Sequence, residues 1–448
     1  MTDALAPVTD ALLAAARAAG ADAADALATE GRSTSIDVRK GGLEHAERSE
    51  GVEIGLRVFV GRRQACISAS DTRSETLRMM AERAVAMARE APEDPYAGLA
   101  DPDQIAKGAS AAGLELFDPA AEPDPATLQE DARRAEAAAL AVKGISKVDS
   151  ASAAYGINAV WVAASNGFQG GYVRTSRHIS CVAITGEGTA MERDWCGEGR
   201  VWHADLPSPE WVGEQAGLRT IARQGPRKPP TGAYPVLYDQ RVAGSLIGHL
   251  TSAVNGAAIA RGSSWLRDAL GAQVLPKGMT LRDDPLRARR GASRPFDAEG
   301  LACSARDIVA DGVLKGWTLD LANARKLGMA STASAVRGTS APPSPSTSNL
   351  ILTQGSATRD DLIAQMGTGL WVTSMIGSTI NPTTGDYSRG ASGFWVENGQ
   401  IAYPVNECTV AGNLRDMLAR IIPANDALDH QTAVVASLLV EGLMLAGA

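Results

Sequence analysis

The 448-residue chain is expected to be α+β. An N-terminal helix-and-strand portion should be followed by a β-rich C-terminal domain with one long helix at its start. Three observations predict this. Ile36 and Val38, then Val52, Ile54, Leu56 and Val58, alternate with polar neighbours between glycines and charged pairs, which is the pattern of an antiparallel meander. Segments of helical period stand apart from these runs rather than alternating strictly with them. After the proline-rich, basic stretch "GPRKPPTG" at 225–232, a strand and one long helix lead into Gly-punctuated strands. The divisions that follow are an N-terminal region over 1–115, a central region over 116–225 and a C-terminal domain over 231–448.

The elements can be justified in order. The opening Ala/Leu-rich stretch predicts a helix over about 4–19. The strand-like runs follow, and then "TRSETLRMMAERAVAMARE", which puts Leu77, Met80, Ala84 and Met87 on one stripe. A loop at 91–104 precedes "PDPATLQEDARRAEAAALAVKG", a helix opened by proline. Strands containing "AVWVAASN", "GGYVRTSRHISCVAITGEG" and "MERDWCGEGRVW" come next, then the helix "PEWVGEQAGLRTIARQ". In the second half "QRVAGSLIGHLTSAVNGAAIA" reads as a single helix, with Val242, Leu246, Leu250, Ala253 and Ala257 as its apolar stripe. "VRGTSAPPSPSTS" reads as an exposed loop. "SGFWVENGQIAYPV" is a hairpin turning at Asn398-Gly399, a register that would place Phe394, Val396, Ile401 and Tyr403 on one face.

Net charge is −8 and the isoelectric point about 5.3, which disfavours nucleic acid as the partner, because phosphate binding needs a basic face. No secretory signal is evident, and the longest apolar run is broken by Glu441 and too short for a membrane span. Cys66, Cys181, Cys196, Cys303 and Cys408 are widely spaced and include no CxxC pair. They read as buried free thiols of a cytoplasmic protein.

Chemistry is hard to find. Neither a GxxxxGK phosphate loop nor a GxSxG elbow occurs. Among His45, His178, His203, His249 and His430 no two are spaced i, i+4 on a helix, and His178 and Cys181 should face opposite sides of a strand. His249 borders the apolar stripe of the long helix. That helix offers no acid between Asp239 and Asp268 to serve as general base, so a structural hydrogen bond is the plain expectation for the imidazole. The segment Gly369–Val405 is dense in Gly, Ser, Thr and Asn and holds an exposed-looking Asp386, Tyr387 and Ser388. Thr373, Ser374 or Ser388 could act as a nucleophile only with a base from elsewhere. Otherwise Asp386 and Ser388 would satisfy local backbone groups. Asn381, Asp386, Ser388, Arg389, Asn398, Gly399 and His249 are therefore candidates for lining a cavity or holding structure.

The ordered set "GLWVTSMIG", "NPTTGDYSRGASGFWVENGQIAYPVNE" and "TVAGNL", with "GVEIGLRVFVGRRQACISASD" earlier, resembles the TldD/PmbA family of metallopeptidase subunits over nearly the whole chain. One branch of that family carries HExxxH on the helix that begins the C-terminal domain, plus a late cysteine ligand. Here that helix reads "GSLIGHLTSAVNG", and the late segment "NDALDHQTAVVASLL" has no cysteine, as in the PmbA/TldE branch. The resemblance implies that no catalytic or metal-ligand residue can be carried over. It implies a non-metal subunit of a heterodimeric zinc peptidase, with zinc in a TldD-like partner and an unfolded peptide as substrate. Homodimerisation in the partner's absence is a further expectation. Two alternatives from other classes remain: a stand-alone hydrolase with a Ser or Thr nucleophile, and a non-enzymatic, homodimeric binding module.

Overall fold

The computed structural model describes residues 1–108 and 110–447; Ala109 and Ala448, at the far end of the expected C-terminal domain, lie outside it. The first half is built from α1 (Thr2–Ala18), β1 (Ala23–Arg39), β2 (Gly42–Val60), β3 (Arg63–Ala69), α2 (Ser74–Glu90), α3 (Pro125–Ala141), β4 (Ile145–Ala164), β5 (Gln169–Thr185), β6 (Glu192–Arg200) and α4 (Pro209–Ala222). Its strands form one antiparallel sheet in the order β3-β2-β1-β4-β5-β6. Strands of both the N-terminal and the central region thus share one sheet. The strand pairs read from the sequence are therefore segments of ribbons up to 20 residues long.

The four helices cover one face. Ala24, Ala26 and Ala28 of β1 and Ile54, Leu56 and Val58 of β2 pack with Leu5 and Leu12 of α1 and Met80, Ala84 and Val85 of α2. The expected stripe of α2 needs one correction. Met87 is 44% exposed and Ala81, Val85 and Ala88 are buried instead, because a period of 3.6 residues carries the stripe away from the seventh position after Met80. Further along the sheet, Ala135 and Ala139 of α3 and Val212 and Ala216 of α4 cover Ile179, Cys181 and Cys196. Asp124 caps α3 by accepting from Thr127 N, with Pro125 at its first position.

The second half comprises β7 (Gly232–Tyr238), α5 (Gln240–Ala253), α6 (Gly256–Ala260), β8 (Leu281–Asp283), β9 (Arg306–Ala310), β10 (Val313–Leu314), α7 (Leu321–Leu327), β11 (Ala335–Val336), β12 (Ser344–Pro345), β13 (Leu350–Leu352), α8 (Arg359–Met366), β14 (Gly369–Ile380), β15 (Asp386–Glu397), β16 (Gln400–Asn413), α9 (Leu414–Leu418), β17 (Ile422–Pro423), β18 (Ala433–Val434) and β19 (Leu438–Ala446). The ladder β16-β15-β14-β7-β19 closes on itself through β16–β19 pairing, giving a five-stranded barrel. Closure removes the open edges that a five-stranded sheet would expose. On one side Val236, Tyr238, Leu370, Val372, Trp395 and Leu443 pack on Leu246, Ile247 and Leu250 of α5. On the other, Leu237, Val396 and Leu439 pack on Leu362, Ile363 and Met366 of α8.

Three expectations for this half are overturned. The long helix is two: Asn255 interrupts it, caps α6 by accepting from Ala257 N, and Gly256 N donates to Thr318 O. Hence Ala257 is not part of the α5 stripe, and Ala243 and Ile247 are buried in it while Val242 is only half-buried. The Asn398-Gly399 turn is present, with φ of 52° and 73°, but the hairpin register slips just behind it. Val396 pairs with Ile401 while Trp395 pairs with Tyr403. The extra residue, Ala402, is a bulge that puts Tyr403 on the side of Trp395 and leaves Ile401 51% exposed. The segment 336–348 is not a free loop. Arg337 pairs with Asp25, and Gly55 lies so close to Thr339 that a Cβ there would sit 2.2 Å from its carbonyl oxygen. It straps the second half to the uncovered face of the first-half sheet, where Phe296 also packs on Leu27, Val162 and Phe168.

Candidate functional site

Beyond that strap, the helix-free face of the sheet stays open. At the β6 end it faces the barrel across a cleft of about 1120 Å3. Val182 and Ile184 of β5 and Met191 to Trp195 line one wall; Ser374 to Ile376, Gly390 to Ser392 and Asn406 to Thr409 line the other. Six of these ten barrel residues thus come from the Gly369–Val405 segment. The cleft is amphipathic: Trp195 and Ile376 are 57% and 77% exposed, and Asp194 is held at 3.7 Å by Arg223 and at 3.4 Å by Arg241. The outer edge of β6 carries side-chain caps, with Trp195 O accepting from Arg219 and Asp194 N donating to Thr220. A second, polar groove of about 570 Å3 crosses the same sheet face over Gly31, Gly51 and Gly156.

The sequence-derived candidates do not converge on one centre. Asn381 shapes the tip of the β14–β15 hairpin, where its Oδ1 accepts from Thr383 N. Asp386 is exposed and accepts from the Thr384 hydroxyl at 2.6 Å and from Asn413 at 3.1 Å, bonds that hold its carboxyl below the usual range. Its partners are side chains rather than the backbone groups expected. Ser388 is half-buried opposite Thr379. Asn398 and Gly399 form the hairpin turn, which packs on Ala364 of α8. Thr373 is buried with its hydroxyl unpartnered, and Ser374 lines the cleft. Among the described residues no serine or threonine hydroxyl is hydrogen-bonded to a histidine, so the nucleophile–base pair that a hydrolase of that type needs is not assembled.

His249 and Arg389 do come together, around a residue the sequence reading misplaced. Tyr387 is 2% exposed rather than on the surface. Its ring meets His249 edge-on at 5.8 Å, and its hydroxyl reaches the sulfur of Met375 at 3.4 Å. The alternation of β15 sends Arg389 to the same face, where its Nε donates to Gly377 O at 2.7 Å. Tyr238, fully buried at the end of β7, faces the Tyr387 phenol without a hydrogen bond of acceptable geometry. The structural hydrogen bond expected of His249 is absent: its Nε2 is buried and unpartnered. Burial, and then the Arg389 charge, push the imidazole pKa down; burial pushes both phenols up. Tyr238 left no sequence signal beyond an apolar strand, and the 3.6- and 2-residue periods of α5 and β15 bring the others together only once the two elements are packed.

This donor set does not suit a divalent metal. It offers one imidazole, an arginine and two phenols, with no carboxylate or thiolate, whereas zinc sites are built from Cys, His and carboxylates. Among the described residues no three His, Cys, Asp or Glu side chains are grouped to hold a metal ion. All five cysteines are free, four of them buried and Cys66 half-buried. Burial pushes Cys181 and Cys303 up to about 12, so these thiols stay protonated and inert.

Fold and cleft together define a class: an α+β protein whose helix-backed antiparallel sheet is strapped to a five-stranded barrel, with an amphipathic cleft between them. Comparison with known proteins places that class. Models of the PmbA/TldA metallopeptidase family match as domain 1 over residues 24–88, central domain over 118–224 and C-terminal domain over 231–447. The metalloprotease PmbA of Escherichia coli O157:H7 is 37% identical over 431 residues, covering 95% of this chain and 92% of that protein. The PmbA homologue of Haemophilus influenzae is 36% identical, covering 96% and 93%. A crystal structure described as a putative modulator of DNA gyrase from Bacteroides thetaiotaomicron superposes with a TM-score of 0.92 at 28% identity over the full length of both chains. TldE from Thermococcus kodakarensis shares the fold, with a TM-score of 0.85 at 17% identity, covering 98% of this chain and all of that one. The chain belongs to the PmbA/TldD metallopeptidase family.

Proposed function

We propose that this chain is the non-metal, TldE-like subunit of a heterodimeric zinc peptidase that processes or degrades unfolded peptides in the cytoplasm. The observation that carries the reading is a wide cleft beside a helix whose one imidazole, His249, is joined by no further metal ligand among the described residues. The cleft offers a wall along which a peptide would lie, while among the described residues no metal centre and no nucleophile–base pair is assembled. The cleft accommodates an extended chain, with Trp195 and Ile376 for apolar side chains and paired charges at its rim. Zinc and its general base are assigned to a TldD-like partner. A protein named as a TldD homologue, from Haemophilus influenzae, is among the relatives, 25% identical over 277 residues, 58% of this chain and 57% of that protein. Among the described residues no helix is long and apolar enough to cross a membrane.

The test mixes the purified chain with a TldD-like partner and an unstructured peptide. Hydrolysis is expected from the mixture and not from this chain alone. It should vanish when the glutamate of the partner's HExxxH is replaced by glutamine. Hydrolysis that persists in that mixture would place the active centre in this chain and overturn the proposal.

A further inference from the structure

The cluster on α5 and β15 is unusual in what it lacks. The Tyr238 hydroxyl and His249 Nε2 are both buried without a hydrogen-bond partner, although buried polar groups are almost always satisfied. Ser245, one turn before His249 on α5, adds a third unpartnered buried group. Arg389 is half-buried, donates through Nε to Gly377 O and also bears on the Tyr387 phenol; the forked Nη groups engage no carboxylate among the described residues. The charges and phenols that face one another here are His249, Tyr238, Tyr387 and Arg389, with no acid among them. A half-buried guanidinium that pairs with no carboxylate among the described residues, beside polar groups without partners, is suited to an anion.

We propose that Arg389, His249 and Tyr238, backed by Tyr387, form a receptor for a carboxylate. The planar fork of Arg389 matches the two carboxylate oxygens, and the phenol and imidazole supply further donors. Met375 connects this receptor to the cleft: it lines the cleft and accepts the Tyr387 hydroxyl. Its flexible thioether can move aside at little cost. The source of the carboxylate, a peptide C-terminus or an acidic side chain, rests on the proposed peptide function; the receptor itself does not.

The receptor is tested on the whole chain without a partner. Sodium acetate is titrated while the His249 ring is followed by NMR. The ring resonances should shift on binding and the imidazole pKa should rise, because an adjacent anion favours the charged form. Arg389→Gln should abolish both effects. Tyr238→Phe, which keeps the ring packed, should weaken the acetate affinity. A His249 signal indifferent to acetate in the folded wild-type chain overturns the proposal, as does an unchanged response in both variants.

Three unstructured peptides then identify the source by calorimetry: one with a free C-terminus, its C-terminal amide, and the amide carrying one glutamate. The free acid should bind about tenfold tighter than the plain amide, about 1.4 kcal/mol. If the glutamate peptide follows the free acid, side chains are accepted as well; if it follows the amide, the site reads C-termini. Equal binding of all three overturns the receptor as a peptide site. Failure of the mixed-subunit hydrolysis assay would leave the acetate result untouched, so the two readings fail separately.

Discussion

Two buried polar clusters in this molecule make opposite uses of arginine. In the first half, Asp25 lies between Arg57 and Arg337, with all three side chains no more than 4% exposed. Burial alone would raise the Asp25 carboxyl, yet Arg337 and Arg57 outweigh it and hold the group below its ordinary value. Arg57 donates through Nε at 2.9 Å, and Arg337 arrives from the strap. In the second half, Arg389 and its neighbours have donors to spare and no acid. The charges of the first cluster are paired within the chain, although Arg337 Nε has no acceptor, and the pairing holds the two halves together. The second is unsatisfied and therefore points outward, to something the chain must bind. The difference between structure and site lies here in whether the charges are paired.

That comparison can be broken first at Asp25. Asp25→Asn leaves two buried guanidinium groups short of their counter-ion and should cost about 3–5 kcal/mol, read as a lower midpoint in urea unfolding. A change under about 1 kcal/mol would show that the strap does not depend on this pair. Outside both clusters, Gly399→Val should cost roughly 1–3 kcal/mol, because φ is 73° and the new side chain would press on Ala364, whose Cα lies 3.0 Å from a Cβ at that position. An unaltered melting temperature would contradict the turn.

Next comes a pH test beside the first cluster. Glu299 is buried, and burial, followed by the charge of Asp297, pushes its carboxyl up to about 8 from 4.5. The folded state therefore holds this proton where the unfolded chain has released it. The stability this provides is complete below about pH 4.5 and is lost as pH rises through about 8. Glu299→Gln should flatten that fall in melting temperature; a slope identical to wild type would assign the pH dependence elsewhere. The smallest effect is expected in the second cluster. Tyr238→Phe removes a hydroxyl that has no partner, so unliganded stability should change by less than about 0.5 kcal/mol or rise. A loss above about 1 kcal/mol would mean that the hydroxyl is satisfied within the chain and belongs with the Asp25 type of cluster.

What the sequence made legible follows the same division between local and distant. The strands around Ile54 and Leu56, the Pro125 helix start and the Asn398-Gly399 turn are set by neighbours a few residues away, and alternation or capping exposes them. Ala402 and Asn255 were missed because a bulge and a helix break are decided by cross-strand and cross-chain partners: the β15 register, and the Thr318 carbonyl that takes the Gly256 amide. The strap read as a loop because its proline and serine content is that of a loop, and only Asp25 and Gly55 reveal its seat. Of the candidate site, the hairpin within Gly369–Val405 was legible, but none of the cavity-lining candidates lines the cleft, and the Tyr387 environment was not legible, since burial of Tyr387 depends on α5 lying against β15.

The strap also bears on how the chain leaves the ribosome. Asp25 and Arg337 are separated by 312 positions. At about 5–20 residues per second, that separation corresponds to about 15–60 s of synthesis. During this interval the first-half sheet can form and take its helices, while the Asp25 pocket and the apolar patch around Leu27 and Phe168 still wait for the second half. The barrel waits longer, because β19, its closing strand, emerges after both strands that it joins. A nascent chain stalled before Leu438 therefore keeps the edges of β7 and β16 open, and these are the places where neighbouring nascent chains would adhere.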